Sequence, residues 1–62
     1  MTTIPQTADA FKDWVDRECD KWPAELQAMA YGAWRTMQGS TLWMATLDSF
    51  TVCYRQWEAA QS

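Results

Sequence analysis

The chain contains no histidine and only two cysteines, which narrows the chemistry available to its 62 residues. Histidine is the side chain most often used for acid–base catalysis near neutral pH, and it is a common zinc ligand. Without it, a structural zinc site would need carboxylates to complete four ligands, which is uncommon. No serine or cysteine has a plausible base nearby, and the carboxylates fall on a predicted exposed face. We therefore expect no enzymatic activity, no metal site and no cofactor.

The low cysteine content also bears on the compartment and on stability. Cys19 and Cys53 are too few for a framework of several disulfides, and the segment MTTIPQTADAF lacks the basic flank and apolar run of a secretion signal. We expect two unbridged thiols in a reducing cytoplasm. A domain of this size buries only about 60% of the surface that its unfolded chain exposes, so its core is small. Self-association is the remaining way to complete the core, and we expect a homodimer.

Positive charge is scarce, because five Lys and Arg residues stand against eight Asp and Glu residues, for a net charge of −3. Binding to a phosphate backbone draws its affinity from clustered cations, so a nucleic-acid partner is disfavoured. No apolar run approaches the length of a membrane span, and the amphipathic N-terminal segment carries acids where a membrane-surface helix would carry cations. The sequence predicts a soluble protein without a membrane partner.

Apolar residues recur at steps of three and four through most of the chain, which predicts a single all-α domain over residues 1–62. The first six residues contain Pro5 and no periodicity, so they are expected to form a flexible arm, with Thr7 capping the first helix. The apolar steps continue across Pro23 without a slip. They predict either one helix over residues 8–38 kinked at the proline or two closely joined helices, and hence a helical hairpin or a three-helix arrangement.

A turn at Gly39 and Ser40 is expected to lead into a last helix over residues 41–60. The apolar residues on one side of this helix, which we call its seam, recur at spacings of four and three: Trp43, Leu47, Phe50, Tyr54 and Trp57. The stretch SFTVCY is rich in β-branched and aromatic residues, so a β-hairpin of residues 42–47 against 50–57 is an alternative. The helix is preferred because the end of the chain, RQWEAAQS, continues as helix formers.

Five tryptophans in 62 residues exceed ordinary usage, and tryptophan is favoured both in small cores and at the centres of interfaces. Four of them lie on the two apolar seams and are expected in the core: Trp14, Trp22, Trp43 and Trp57. Trp34 lies at the edge of its stripe, one turn from Tyr31. Both of these residues are candidates for contact with another protein.

Glu18 projects from the apolar side of the first helix, between Trp14 and Trp22, at about 100° per residue. An unpaired carboxylate is costly to bury, so Glu18 must be paired, neutralised or left at the rim. Lys21, three residues on, could pair with it at the rim. The alternative is a cation from a partner protein, which makes Glu18 a candidate binding residue.

Two further surfaces are candidates for contact. Four aspartates repeat on the face opposite the first seam, and they form either a solvated face or a surface that docks on a basic protein: Asp9, Asp13, Asp16 and Asp20. Small residues form a ridge on the second helical segment, and apolar residues lie off the seam of the last helix. We interpret these as dimer residues: Ala24, Ala28, Gly32, Met44, Ala45 and Val52.

Together these features predict a small acidic protein–protein interaction module that binds another protein and inhibits or retargets it. The alternative is a structural or assembly subunit that forms a larger homo-oligomer, and a nucleic-acid-binding regulator is disfavoured by charge. In size, acidity and lack of catalytic residues, the chain resembles in style the short acidic accessory proteins of phages and mobile elements that block host enzymes. No shared motif accompanies this resemblance.

Overall fold

The computed structural model describes residues 3–61, which form three α-helices joined by short connections. Helix α1 spans Ala8–Glu18, α2 spans Ala24–Met37 and α3 spans Trp43–Gln61, and a single 3-10 turn, Cys19–Lys21, follows α1. No strand occurs within residues 3–61. The all-α prediction is confirmed, and the β-hairpin alternative for residues 42–57 is wrong.

Helix α1 begins where the sequence predicts it. Thr7 has an extended backbone, and its hydroxyl oxygen accepts a hydrogen bond from the amide of Ala10 at 3.4 Å, so Thr7 is the N-cap. Ile4, in the segment expected to form a flexible arm, is instead 5% exposed and belongs to the core. An apolar side chain gains by leaving water, which ties this part of the segment to the helices. Met1 and Thr2, the start of the expected arm, lie outside the described residues, as does Ser62.

The chain leaves helical conformation before α2, so the joint at Pro23 separates two helices. Trp22 and Pro23 both have extended backbone, with ψ angles of 150° and 157°. A proline disfavours helical conformation in the residue before it, which accounts for the break at Trp22. The Gln27 side-chain amide donates to the Trp22 carbonyl at 2.9 Å and satisfies an acceptor that the break leaves outside a helix. The three-helix arrangement is therefore the one observed.

The turn between α2 and α3 contains Gly39 and Ser40, as predicted. Gly39 has a φ of 157°, which residues with a side chain rarely adopt. The hydroxyl of Ser40 accepts a hydrogen bond from the Leu42 amide at 3.0 Å. Ser40 thus orders the turn, and the carbonyl of Leu42, one residue before α3, accepts the backbone bond from Thr46 that opens the helix.

The core is mainly aromatic and lies where the three helices meet. Phe50 of α3 is fully buried, and its ring lies 5.6 Å from Phe11, 6.0 Å from Trp14 and 5.7 Å from Trp22, measured between centroids. Trp14 and Trp22 are themselves 5.2 Å apart. Most of these pairs are tilted or edge-to-face, the arrangements that aromatic quadrupoles favour. Trp43 and Trp57 are only half-buried, and they pack against this core from its edge.

Within residues 3–61, no helix has the length and apolar character that crossing a membrane requires.

Candidate functional site

The structure joins two sets of candidate residues that the sequence places on different helices. The Tyr31 hydroxyl of α2 donates to Asp16 Oδ1 of α1 at 3.1 Å. Lys12 Nζ pairs with Asp16 Oδ2 at 2.7 Å, and it also lies 5.8 Å from the Tyr31 ring centroid and 5.3 Å from that of Trp34. We call Lys12, Asp16, Tyr31 and Trp34 the α1–α2 cluster. It links the row of aspartates to the aromatic edge of α2.

The contacts of the α1–α2 cluster shift the acidity of two members in opposite directions. The hydrogen bond from Lys12 holds the pKa of Asp16 below its usual value, with a smaller contribution from Tyr31. The Asp16 carboxylate raises the pKa of Tyr31 to about 12, and partial removal from water and the nearby Cys19 thiol act in the same direction. Both shifts favour the pair as it stands, with a neutral phenol donating to an ionised carboxylate.

Within the cluster, Trp34 lies at the edge of the core. It is half-buried and packs against the buried residues of the helices, while Lys12 covers its ring. A cation over an aromatic face is favourable by about 0.5–1 kcal/mol at an exposed site. The cluster therefore fastens α2 to α1, and Trp34 fits the core-edge interpretation better than that of a fully exposed contact.

We expect Tyr31 to ionise only near pH 12, and the folded protein to lose stability above about pH 10. A phenol in the unfolded chain ionises near pH 10, so the Tyr31 contribution is fully present below that pH and is lost as the pH rises through 12. Ultraviolet absorbance of tyrosinate should show this late step in the wild type and not in Tyr31→Phe. In Asp16→Asn, which removes the carboxylate, the step should move toward pH 10. A wild-type titration with no step above pH 11 would contradict the Asp16–Tyr31 bond.

The other aspartates of the row are exposed and form no ion pair in the described part of the chain. Asp9 and Asp13 lie on α1, and Asp20 lies in the 3-10 turn that follows it. Arg17, an exposed cation between them, forms no ion pair within residues 3–61. The row is therefore exposed, and Asp16 is the member that bonds to α2.

Glu18 lies at the rim of the apolar side and not beneath it. Its carboxylate pairs with Lys21 Nζ at 3.2 Å, and the two side chains are 35% and 67% exposed. Exposed pairs of this kind contribute about 0–1 kcal/mol. The pair between Glu18 and Lys21 that the sequence suggested is thus present. Arg55 pairs instead with Glu58 on α3.

All six dimer candidates lie away from the core. Ala24 and Ala28 are exposed and Gly32 is half-exposed, on the side of α2 opposite its buried residues at about 100° per residue. On α3, Met44 and Val52 are 60% and 57% exposed. Ala45 is also exposed.

We expect Gly32→Ala to raise the free energy of unfolding by about 0.5–1 kcal/mol, because alanine loses less backbone entropy than glycine in a helix. A Cβ at this position meets no heavy atom within 4 Å, so the methyl group fits. Urea denaturation at low protein concentration measures the gain. If the ridge of small residues packs closely on a second copy, the added methyl should also weaken dimerisation in light scattering. A loss of stability in the monomer would show that the space is not free.

A groove between α2 and α3 was missed by the sequence reasoning. It has a volume of about 230 Å³ and is lined by Pro23, Glu25, Leu26, Met29, Cys53, Gln56 and Trp57. Among the lining residues Leu26 is buried, whereas Met29, Cys53 and Trp57 are half-buried and contribute apolar surface to the groove. Of these residues, the sequence assigns Trp57 to the apolar seam of the last helix as a core residue. The sequence contains no pattern that predicts a groove between α2 and α3 at this end of the two helices.

The thiols of both cysteines are free, as predicted. Cys53 lines the α2–α3 groove, and Cys19 lies near Tyr31 at the end of α1. Among residues 3–61, no group of three or more Cys, Asp or Glu side chains is arranged to hold a metal ion.

Comparison of the chain with protein-family models, curated proteins and solved structures finds no match.

Proposed function

We propose that this protein is a small acidic interaction module that binds another protein, and that by binding it inhibits or retargets that protein. The observation that carries the proposal is the α2–α3 groove, a concave apolar surface on a helical domain. Binding energy at protein interfaces concentrates where a bulky side chain enters a desolvated pocket. Trp57 and Met29 belong to residue types enriched at such contacts.

The acidic row is a second surface that supports binding to a protein. Asp9, Asp13 and Asp20 are exposed and form no ion pair with any of residues 3–61, so their field extends into solvent. Complementary charge speeds encounter and rejects partners of the same sign. In this proposal the groove supplies affinity, and the row supplies the rate of encounter.

Affinity capture with single lysine substitutions tests the proposal. Met29→Lys places a charge in the groove, and Ser49→Lys places the same charge at an exposed position of α3 outside it. We expect a partner to be retained by the wild type and by Ser49→Lys and to be lost by Met29→Lys. Circular dichroism must show that both variants are folded. Gln56→Lys, at an exposed residue of the groove, serves as the groove variant if Met29→Lys unfolds.

The same experiment can contradict the proposal. If the wild type and the folded groove variants retain the same proteins in the same amounts, the groove is not a binding surface. Retention that depends only on the net charge would point to the acidic row instead, and it would be lost at raised salt because exposed charges are screened.

Self-association is proposed as a second property, because three large apolar side chains are exposed. Leu42, Met44 and Val52 are 66%, 60% and 57% exposed, near the start and middle of α3. A homodimer that covered them would gain apolar burial at about 25 cal/mol per Å². Light scattering and melting at two protein concentrations test this, since dissociation coupled to unfolding makes stability depend on concentration. A ring or filament in place of a dimer would favour the structural or assembly role.

A further inference from the structure

We propose that the α2–α3 groove receives one large apolar side chain of a partner protein, flanked in that protein by lysine or arginine. This inference rests on the proposed function and names the chemistry of the partner at the same site. It follows from the size of the groove, the character of its walls and the distribution of charge around it.

The size of the groove suits a side chain better than a free ligand. Its volume of about 230 Å³ lies below the roughly 300–1,000 Å³ of pockets that enclose small molecules. Its walls are the apolar surfaces of Leu26, Met29, Cys53 and Trp57, so an aliphatic or aromatic group gains by entering. The methionine is flexible and polarisable, and it can adapt to the shape of the group that enters.

The charge at the rim of the groove selects a cation beside that apolar group. Glu25 is the only charged residue among those that line the groove, and it forms no ion pair within residues 3–61. Lys or Arg next to the apolar anchor would meet this carboxylate at the edge. An acidic segment would bring like charges together and would be rejected.

The charge of the whole surface acts in the same direction. Three of the eight carboxylates and three of the five cations are joined in ion pairs. Five carboxylates and two guanidinium groups are left without an ion pair in the described part of the chain: Asp9, Asp13, Asp20, Glu25, Asp48, Arg17 and Arg35. A basic partner is therefore attracted from a distance as well as at the groove.

A second copy of this chain fits the groove less well. Its exposed apolar side chains Met44 and Val52 lie on either side of Asp48 along α3, so they would bring a carboxylate toward Glu25. Both copies would also carry the same net charge of −3. The occupant is for these reasons assigned to a different, basic protein segment.

The test uses two synthetic helical peptides and the cysteine that lines the groove. One peptide alternates leucine and lysine in an amphipathic pattern, and in the other glutamate replaces every lysine. The rate at which N-ethylmaleimide alkylates Cys53 is measured by mass spectrometry with and without each peptide, and Cys19, outside the groove, is the internal control. At a peptide concentration ten times its Kd, occupancy should slow Cys53 alkylation about tenfold.

We expect the leucine–lysine peptide to protect Cys53 and not Cys19, and the leucine–glutamate peptide to protect neither. Glu25→Gln should weaken binding of the leucine–lysine peptide by about twofold to fivefold, as for an exposed ion pair. Asp48→Asn removes one charge on α3 outside the groove and should have a smaller effect. The difference between these variants should shrink at high salt.

Two results would overturn the inference. Equal protection of Cys53 by both peptides would show that the groove accepts an apolar group without regard to charge, which leaves the proposed function in place. Binding of the leucine–lysine peptide without protection of Cys53 would place it on the acidic row. The capture experiment with the Met29→Lys and Gln56→Lys variants then decides separately whether the groove binds any protein.

Discussion

Phe50→Ala is expected to lower the free energy of unfolding by about 3–5 kcal/mol, the usual cost of truncating a fully buried phenylalanine. The ring lies between Phe11, Trp14 and Trp22, and it stacks on Tyr54 at 5.9 Å. Its removal leaves a cavity that rigid aromatic neighbours cannot fill by small rotations. A domain of this length has a total stability of about 3–9 kcal/mol, so the substitution should remove at least about a third of it.

Urea denaturation followed by circular dichroism measures this loss, with Val52→Ala as the control. Val52 is 57% exposed on the same helix, and its truncation should change stability by less than about 0.5 kcal/mol. Similar denaturation midpoints for the two variants would show that Phe50 is not at the centre of the core.

Ala33→Leu is expected to destabilise the protein by about 1–3 kcal/mol, because it adds volume where none is free. Ala33 and Ala30 are both 0% exposed on the buried side of α2, and their small side chains allow the helices to approach. A leucine at this position must displace the aromatic rings or move α2. Either change strains a closely packed interior.

Ala28→Leu is the control for that substitution, since Ala28 lies on the exposed side of the same helix. Leucine and alanine have similar helix propensities, so in the monomer, at low protein concentration, this change should alter stability by no more than about 0.5 kcal/mol. Thermal melts of both variants make the comparison. A gain of stability in Ala33→Leu would reveal unfilled space beside α2.

The periodic pattern predicted helices on both sides of Pro23, and it left open whether they form one kinked helix or two closely joined helices. The apolar steps run from Cys19 through Trp22 to Leu26 as if one helix continued across Pro23. In the structure a 3-10 turn and two extended residues connect two helices, and Trp22 is nevertheless buried at 5% exposure. The spacing of apolar residues could not distinguish one kinked helix from two joined helices, because Trp22 lies in the core in both. The restriction that proline imposes on the preceding residue decided it.

The candidate site residues also fall into two groups, those whose position follows from local spacing and those whose position depends on packing between helices. The exposed aspartates and the rim position of Glu18 beside Lys21 follow from the short-range spacing of residues along α1 and the 3-10 turn after it. The bond between Tyr31 and Asp16 joins residues 15 apart on different helices, and no local pattern encodes it. The groove likewise depends on how residues of α2 and α3 pack against each other, which no local pattern encodes.

The sequence by itself determined the helical class, the N-cap at Thr7, the turn at Gly39 and Ser40, and the identity of most buried aromatic residues. These are properties of neighbouring residues, because periodicity, caps and turns act over one or two helical turns. Only the tertiary structure decided that Asp16 meets Tyr31, that Ile4 enters the core, and that α2 and α3 part around Cys53 and Trp57. Those outcomes depend on the distance and angle at which whole helices pack, which the shapes of many side chains set together.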